Sequence, residues 1–358
     1  MKYIMLKDVC DINMGQSPDS RSYNDEGDGL PFFQGNADFG ERYPVTRKWC
    51  SVPTKIAKPE DILISVRAPI GALNYAREKC CIGRGLAALT PDKSKVSPEF
   101  IFWLLKAKNI ELNSKGTGST FKAIGRNVLE ETQVPNVPLT VQLEYSQVLE
   151  RIYAIIQSRK MQLQKLDDLV KARFVELFGD PLIGSGRYPK VPLGGLTEVG
   201  SSKRIFEKEY VSEGVSFYRT KEIVELSKGN RITTELFITK ERYDEIRSEY
   251  GVPQKGDLLI SAVGTIGVIW IVDGKNDFYY KDGNLLRVSA TERFVPEYLK
   301  HLLEVLIGAY KSEMSSGTAY AALTISALKE MMVYDVPYAE QKQFATFVTQ
   351  TDKSKLIK

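Results

Sequence analysis

DILIS at Asp61–Ser65 returns as DLLIS at Asp257–Ser261, 196 positions later, and this short run decides how the whole chain is read. Each copy is an acidic residue, three aliphatic residues and a serine, the composition of a short buried strand entered from a turn. Gly71 returns as Gly267 at the same offset, and SPEFIFWLL (Ser97–Leu105) returns as VPEYLKHLL (Val295–Leu303) at an offset of 198. Val137, Pro138 and Gln142 return as Val336, Pro337 and Gln341 at 199, while PFFQGN (Pro31–Asn36) faces SFYRTK (Ser216–Lys221), and Gly15 faces Gly200, at 185. An offset that drifts slowly over many anchors marks tandem domains with loop insertions, because chance matches scatter. The step from 185 to 196 puts eleven extra residues into the second copy between Lys221 and Asp257. One scaffold carrying two sets of loops points to one task performed on two targets.

Composition sets the class. With 358 residues, 43% hydrophobic and 26% charged, the chain has material for two cored domains of about 140 residues plus connecting helices. No apolar run approaches the ~20 residues of a membrane span, and MKYIMLKDVCDI at the N-terminus lacks the apolar core of a signal peptide; a soluble, cytoplasmic protein with no membrane partner is expected. Cys10, Cys50, Cys80 and Cys81 all lie in the first copy. Unduplicated and without C-x-x-C spacing, they suit neither a disulfide framework nor a zinc site and read as buried or incidental thiols. The net charge of +4 permits a polyanionic partner without demanding one.

Between the copies, Leu139–Phe178 contains neither Gly nor Pro. Leu149, Ile156, Leu163, Val170 and Leu177 follow one another at seven-residue steps, interleaved with Tyr145, Ile152 and Leu166, although Arg159 and Arg173 interrupt the second series. This heptad rhythm predicts a helix of roughly 60 Å acting as a coiled-coil spacer, stopped by Gly179-Asp180-Pro181. The same helix begins again at Tyr338 and reaches the last residue, Lys358, at about half that length.

Within each copy short β-rich runs alternate with glycine turns, followed by a helix at Pro98–Lys108 or Pro296–Tyr310, a Gly/Ser/Thr-rich loop at Lys115–Arg126 or Ser315–Leu323, and a proline-containing strand. GQSPDSRSYNDEGDGLPFFQGNADFG (Gly15–Gly40), GTGSTFKAIGR within the first loop, VPNVPLTVQLEY (Val134–Tyr145) and ELFGDP (Glu176–Pro181) resemble the specificity subunit of type I restriction–modification systems over essentially the whole chain. The resemblance implies an α+β fold of two tandem target-recognition domains, residues 1–138 and 181–337, separated by a long coiled-coil helix, 139–180, with a shortened second helix at 338–358. It further implies double-stranded DNA as ligand, each domain reading half of a split sequence, and modification and restriction subunits as partners. S-adenosylmethionine, ATP and Mg belong on those partners, so no cofactor or metal is expected on this chain. The resemblance also implies that the two long helices pair antiparallel, so Leu163, Leu166 and Val170 are expected to lie on or near a stretch that the shortened helix leaves without a partner, and to drive self-association or dependence on modification subunits.

The residues agree that the chain reads rather than catalyses. There is no N-P-P-[FY] or D-P-P-[FY] tetrapeptide for adenine methylation and no G-x-x-x-x-G-K-[ST] phosphate loop. His301 reads as structural, corresponding to Trp103 in neither spacing nor chemistry, and Asp273-Gly274-Lys275 reads as a turn. Base readout needs side chains that reach base edges, with phosphate contacts fixing register. In the first copy the candidates are Gln16, Ser17, Arg21, Tyr23, Gln34, Asn36, Arg67, Arg84, Lys115, Thr117, Ser119, Lys122 and Arg126; Gln34 and Asn36 suit adenine, and Arg67 or Arg84 guanine. In the second they are Ser202, Lys203, Arg204, Arg219, Lys221, Lys281, Asn284, Ser316, Thr318 and Tyr320. Replacement of Gln34 by Arg219 and of Asn36 by Lys221 at matching places points to different bases. Leu149, Ile152, Ile156, Leu163, Leu166, Val170 and Leu177 form the candidate subunit interface. A tethering scaffold that binds no DNA is the alternative from another class, distinguished by whether the basic residues share a face; a fused single-chain restriction enzyme is disfavoured by the missing motifs.

Overall fold

The repeated strand is the centre of each domain. In the computed structural model, which describes residues 2–118, 122–184, 186, 188–314 and 322–356, Ile62–Ser65 and Leu258–Ser261 are strands buried along their whole length. Alternate side chains of a strand point to opposite faces. Ile62 and Ile64 accordingly enter one core with Leu6, Phe102 and Leu105, while Leu63 enters another with Phe33 and Ile82. Leu258 and Ile260 likewise face Tyr298 and Leu302, while Leu259 faces Phe217 and Trp270. The acid that precedes each strand closes the entering turn: Asp61 Oδ2 accepts the Lys58 amide at 2.7 Å and Asp257 Oδ2 that of Gln254 at 2.9 Å.

The chain divides into two compact units, Met1–Arg159 and Lys160–Lys358, a division that falls within the long helix. In the first, a four-stranded antiparallel sheet runs in the order Cys10–Met14, Leu86–Pro91, Ile62–Ser65, Leu73–Tyr75. In the second the same order is kept by Val199–Gly200, Leu285–Val288, Leu258–Ser261 and Ile269–Ile271. A second sheet in each unit is built on a parallel pair, Leu30–Phe33 with Cys80–Ile82 and Val215–Tyr218 with Phe278–Tyr280. The expected insertion becomes two helices, Thr220–Ser227 and Lys240–Glu249, where the first unit has the 3-10 turn Asn36–Asp38 and two short strands, Trp49–Cys50 and Ile56–Ala57. The helix after the sheet, Pro98–Ala107, is started by Ser97, whose Oγ accepts the Phe100 amide, with proline at its first position. Its counterpart is Pro296–Met314.

The long helix spans Leu139–Phe178 as expected, and a 19-residue helix, Tyr338–Leu356, is its shorter counterpart. The expectation about its unpartnered part is corrected. Val170 is only 2% exposed, packed with Phe174, Phe178, Phe344 and Val348, and Leu163 and Leu166 are half-buried. A run of exposed apolar side chains lies earlier, at Leu149 (38%), Ile152 (49%), Ile155 (68%) and Ile156 (47%), while Met161, Leu169 and Val175 are exposed further along. The reason is direction: the C-terminal helix starts beside the end of the long helix and runs back along it, so that Lys355 pairs with Asp167 at 2.7 Å.

The reading of His301 also changes. Because Ser97–Leu105 and Val295–Leu303 align without a gap, His301 stands where Trp103 stands. Its role is structural as expected: it packs edge-on against Phe344 at 5.4 Å and faces Glu304 at 3.4 Å. In the first unit, Trp103 instead donates to Glu150 of the long helix, which also pairs with Arg42.

Candidate nucleic-acid interface

In the first unit the strands Cys10–Met14, Leu30–Phe33 and Ile62–Ser65 all end beside the short connection Gly83–Gly85, and backbone hydrogen bonds join the loops that follow them. Gly15 donates to Leu86 O at 2.9 Å, Gln16 to Ile82 O at 3.1 Å, Gly83 to Phe33 O at 2.8 Å, Gly85 to Gln34 O at 3.2 Å and Val66 to Gly85 O at 2.9 Å. The Lys115–Arg126 loop joins them, since Ala68 donates to Lys122 O at 3.0 Å and Ile124 to Val66 O at 2.9 Å. Glycine is required at this crossing: a Cβ on Gly15 would lie 2.2 Å from Gly83 O, and one on Gly85 2.4 Å from Gln34 O.

Gln16, Ser17, Gln34, Arg67, Arg84 and Lys122 therefore belong to one loop cluster. Gln34 Nε2 donates to Ser17 Oγ at 2.9 Å, and Ser17 Oγ also accepts the Arg84 amide at 3.3 Å. Other expected readers have partners within their own unit. Tyr23 stacks on Phe32 at 4.5 Å and donates to Pro18 O; Arg21 pairs with Asp19, Lys115 with Glu111 and Arg126 with Glu130. Asn36 opens the 3-10 turn, and Thr117 is exposed and bridged to Ala123. Ser119 lies outside the described residues.

In the second unit Ser202, Lys203, Arg204, Lys281 and Asn284 come together. Ser202 Oγ donates to Tyr280 O at 2.8 Å, the Lys203 amide to Tyr279 Oη at 2.7 Å, Arg204 Nε to Asp282 Oδ2 at 3.0 Å and the Lys281 amide to Tyr218 O at 2.9 Å. Ala262 donates to Asn284 O at 2.8 Å and Leu323 to Ala262 O at 2.9 Å, matching the Val66 and Ile124 bonds of the first unit. Ser316, Thr318 and Tyr320 fall outside the described residues.

The match of Gln34 with Arg219 has a different content from the one expected. Both follow the parallel strand and both donate their amides to an acid ahead, Gln34 to Asp38 at 2.7 Å and Arg219 to Glu222 at 2.8 Å. Glu222 is buried, and the guanidinium of Arg219 (3.4 Å) and the ammonium of Lys221 (3.6 Å) sit on its Oε1. Both cations thus flank a buried carboxylate. Among the described residues, Arg67, Arg84 and Lys122 are exposed and face no carboxylate, whereas Lys203 lies over the ring of Tyr250 at 4.7 Å. Sequence reading missed Tyr250 and Val263; alignment of the two turns after the repeated strand would have drawn attention to Val263.

A cavity of about 970 Å³ lies elsewhere in the first unit, lined by residues including Arg42, Tyr75, Glu99 and Glu150. Arg42 fills its wall, its guanidinium 4.3 Å from the Phe102 ring and 5.0–5.4 Å from those of Tyr75, Trp103 and Tyr153. This cluster fastens the long helix to its domain. No described helix is long and apolar enough to cross a membrane, and no group of three or more His, Cys, Asp or Glu among the described residues is placed to hold a metal ion.

Comparison with known proteins agrees with the internal repeat. The family described as "Type I restriction modification DNA specificity domain" matches residues 1–167 and again 187–358. A Methanocaldococcus jannaschii protein described as a type I restriction enzyme MjaX specificity subunit is 42% identical over 160 residues, covering 45% of this chain and 38% of that protein. A Haemophilus influenzae protein described as the type I restriction enzyme specificity subunit S.HindORF215P is 26% identical over 262 residues, 72% of this chain and 64% of that one. The chain thus spans less than two thirds of the length of either relative. A crystal structure of a type I restriction–modification S subunit from M. genitalium superposes with a TM-score of 0.57 at 15% identity, covering 99% of this chain and 90% of that one, and so shares its fold.

Proposed function

The chain belongs to the type I restriction modification DNA specificity domain family twice over, and from that premise we propose that it reads a bipartite double-stranded DNA sequence and docks adenine-modification and restriction subunits, itself supplying recognition and no chemistry. One observation carries the reading: three backbone bonds of the loop crossing recur in both units, those of Gly83, Val66 and Ile124 in the first and of Lys281, Ala262 and Leu323 in the second, yet the exposed side chains around them differ, with Arg67, Arg84 and Lys122 in the first and Lys203 and Asn284 in the second. A shared frame with unlike chemistry at its tips is what reading two different half-sites requires. S-adenosylmethionine, ATP and Mg reside on the partners in this reading, and the assembly works in the cytoplasm. The exposed apolar stripe at Leu149, Ile152, Ile155 and Ile156 is the surface for a partner subunit or, in their absence, a second copy of the chain.

Co-expression with modification subunits, followed by methylation sequencing of the host DNA, tests this. Methylated adenines in a split sequence are expected, lost when this chain is omitted. Methylation independent of the chain would overturn the reading.

A further inference from the structure

Two turns, one in each unit, are opened and closed by the same hydrogen bonds. Ser65 donates through its hydroxyl to Pro69 O and receives the Gly71 amide on its carbonyl at 2.9 Å; Ser261 donates to Thr265 O and receives the Gly267 amide at 2.9 Å. The next residue is fixed equally well, Val66 between Gly85 and Ile124, Ala262 between Asn284 and Leu323. Arg67 and Val263 are therefore the same position in the two copies, each the first side chain to leave the sheet and enter the loop cluster.

What stands there differs in kind. Arg67 is exposed and has no carboxylate beside it among the described residues, so its planar donor fork is available. Val263 is 42% exposed and belongs to neither apolar core of its unit. Its isopropyl group contributes little to folding there, and Asn284, whose carbonyl holds the neighbouring amide, flanks it. In the major groove an arginine fork matches O6 and N7 of guanine, whereas an apolar side chain matches only the C5 methyl of thymine.

Resting on the reading of the chain as a DNA-recognition subunit, we propose that Arg67 and Val263 are one specificity-determining position used twice, specifying a G·C pair in the first half-site and a T·A pair in the second. The exposed valine is the new element: it reads by the presence of a methyl group and not by charge or hydrogen bonding.

Methylation sequencing of cells co-expressing modification subunits with wild type, Arg67→Val, Val263→Arg or Val263→Ser tests it. Arg67→Val is expected to relax one G·C position in one half-site, and Val263→Arg to convert one T·A position of the other half-site to G·C, each by about tenfold in relative methylation. Val263→Ser, which keeps a small uncharged side chain, is expected to weaken the same T·A preference and decides the matter if the arginine variant fails to assemble. A split motif left unchanged by Arg67→Val, or by Val263→Ser, overturns the proposal while the recognition function stands. Failure of wild type to direct any split motif is a failure of the functional reading itself.

Discussion

Gln142 Oε1 accepts the backbone amide of Ser97 at 3.0 Å, and its Nε2 donates back to Val137 O and Lys95 O, so that one buried side chain joins the start of the long helix to the cap of the domain helix. Gln341 makes the same three bonds to Val295, Val336 and Arg293. A buried amide with every group satisfied stabilises; removing it strands buried or part-buried partners. Gln142→Ala and Gln341→Ala are each expected to lose about 2–4 kcal/mol, measured as a lower urea midpoint. Losses below about 1 kcal/mol would show that water replaces the amide.

Gly15 and Gly200 occupy matching places in the repeat but unequal space. A Cβ at Gly15 would press on the carbonyl oxygens of Gly83 and Leu86, at 2.2 and 2.7 Å, whereas one at Gly200 meets nothing within 4 Å. Backbone cannot rotate away as a side chain can, so Gly15→Ala is expected to cost about 1–3 kcal/mol or displace the loop cluster. Gly200→Ala is expected to be neutral within about 0.5 kcal/mol. Equal melting shifts for the two variants would contradict the geometry of the crossing.

Arg42 ties the first domain to the long helix through four aromatic rings and Glu150. Arg42→Ala is expected to destabilise the chain by about 2–3 kcal/mol, with Arg42→Lys between it and wild type, because an ammonium keeps the charge but not the planar stacking. Thermal melts of the three proteins order them; a lysine variant as unstable as alanine would place the whole effect in the ring contacts.

Burial lowers His301 from its usual value to about 4, with Lys300 acting in the same direction. Asp352 and Asp167 oppose the shift and Lys355 reinforces it, while burial also raises the neighbouring Glu304. Below about pH 6.5 the unfolded chain binds a proton on this imidazole that the folded chain refuses until about pH 4, so His301 contributes stability above that window and loses it as pH falls through it. Relative to His301→Phe, which keeps the ring packing, wild type is expected to lose about 2–3 kcal/mol between pH 7 and pH 4. Glu304 faces the imidazole at 3.4 Å, so the difference between the two proteins reports the pair and not the histidine alone. Parallel stability curves for the two proteins would mean that the histidine is protonated without strain.

The exposed stripe of the long helix makes a concentration-dependent prediction. Without partner subunits the chain is expected to self-associate, and Ile152→Glu with Ile155→Glu to restore a monomer, read by light scattering after size exclusion. Leu166→Glu, on a half-buried side chain, is expected to lower stability instead. A wild-type monomer over a hundredfold concentration range would remove the stripe from consideration as a self-association surface.

The repeat, the long helix and the order of elements were legible in the residues because each rests on local and periodic signals: DILIS and DLLIS need buried strands, a stretch free of Gly and Pro with heptad spacing needs a helix, and Gly179-Asp180-Pro181 ends it. Which candidates stand together was decided only by the fold. Arg219 and Lys221 match Gln34 and Asn36 in the repeat, and only the fold sets both cations beside the buried Glu222 of the inserted helix Thr220–Ser227. Heptad spacing placed Val170 and Ile156 on one stripe without telling which would be covered, since that depends on where the C-terminal helix lies and in which direction it runs. Val263 carried no signal of its own, because an exposed valine acquires meaning only when hydrogen bonds distant in sequence put it in register with Arg67. Local preference is written residue by residue; availability of a side chain is set by what the rest of the chain packs against it.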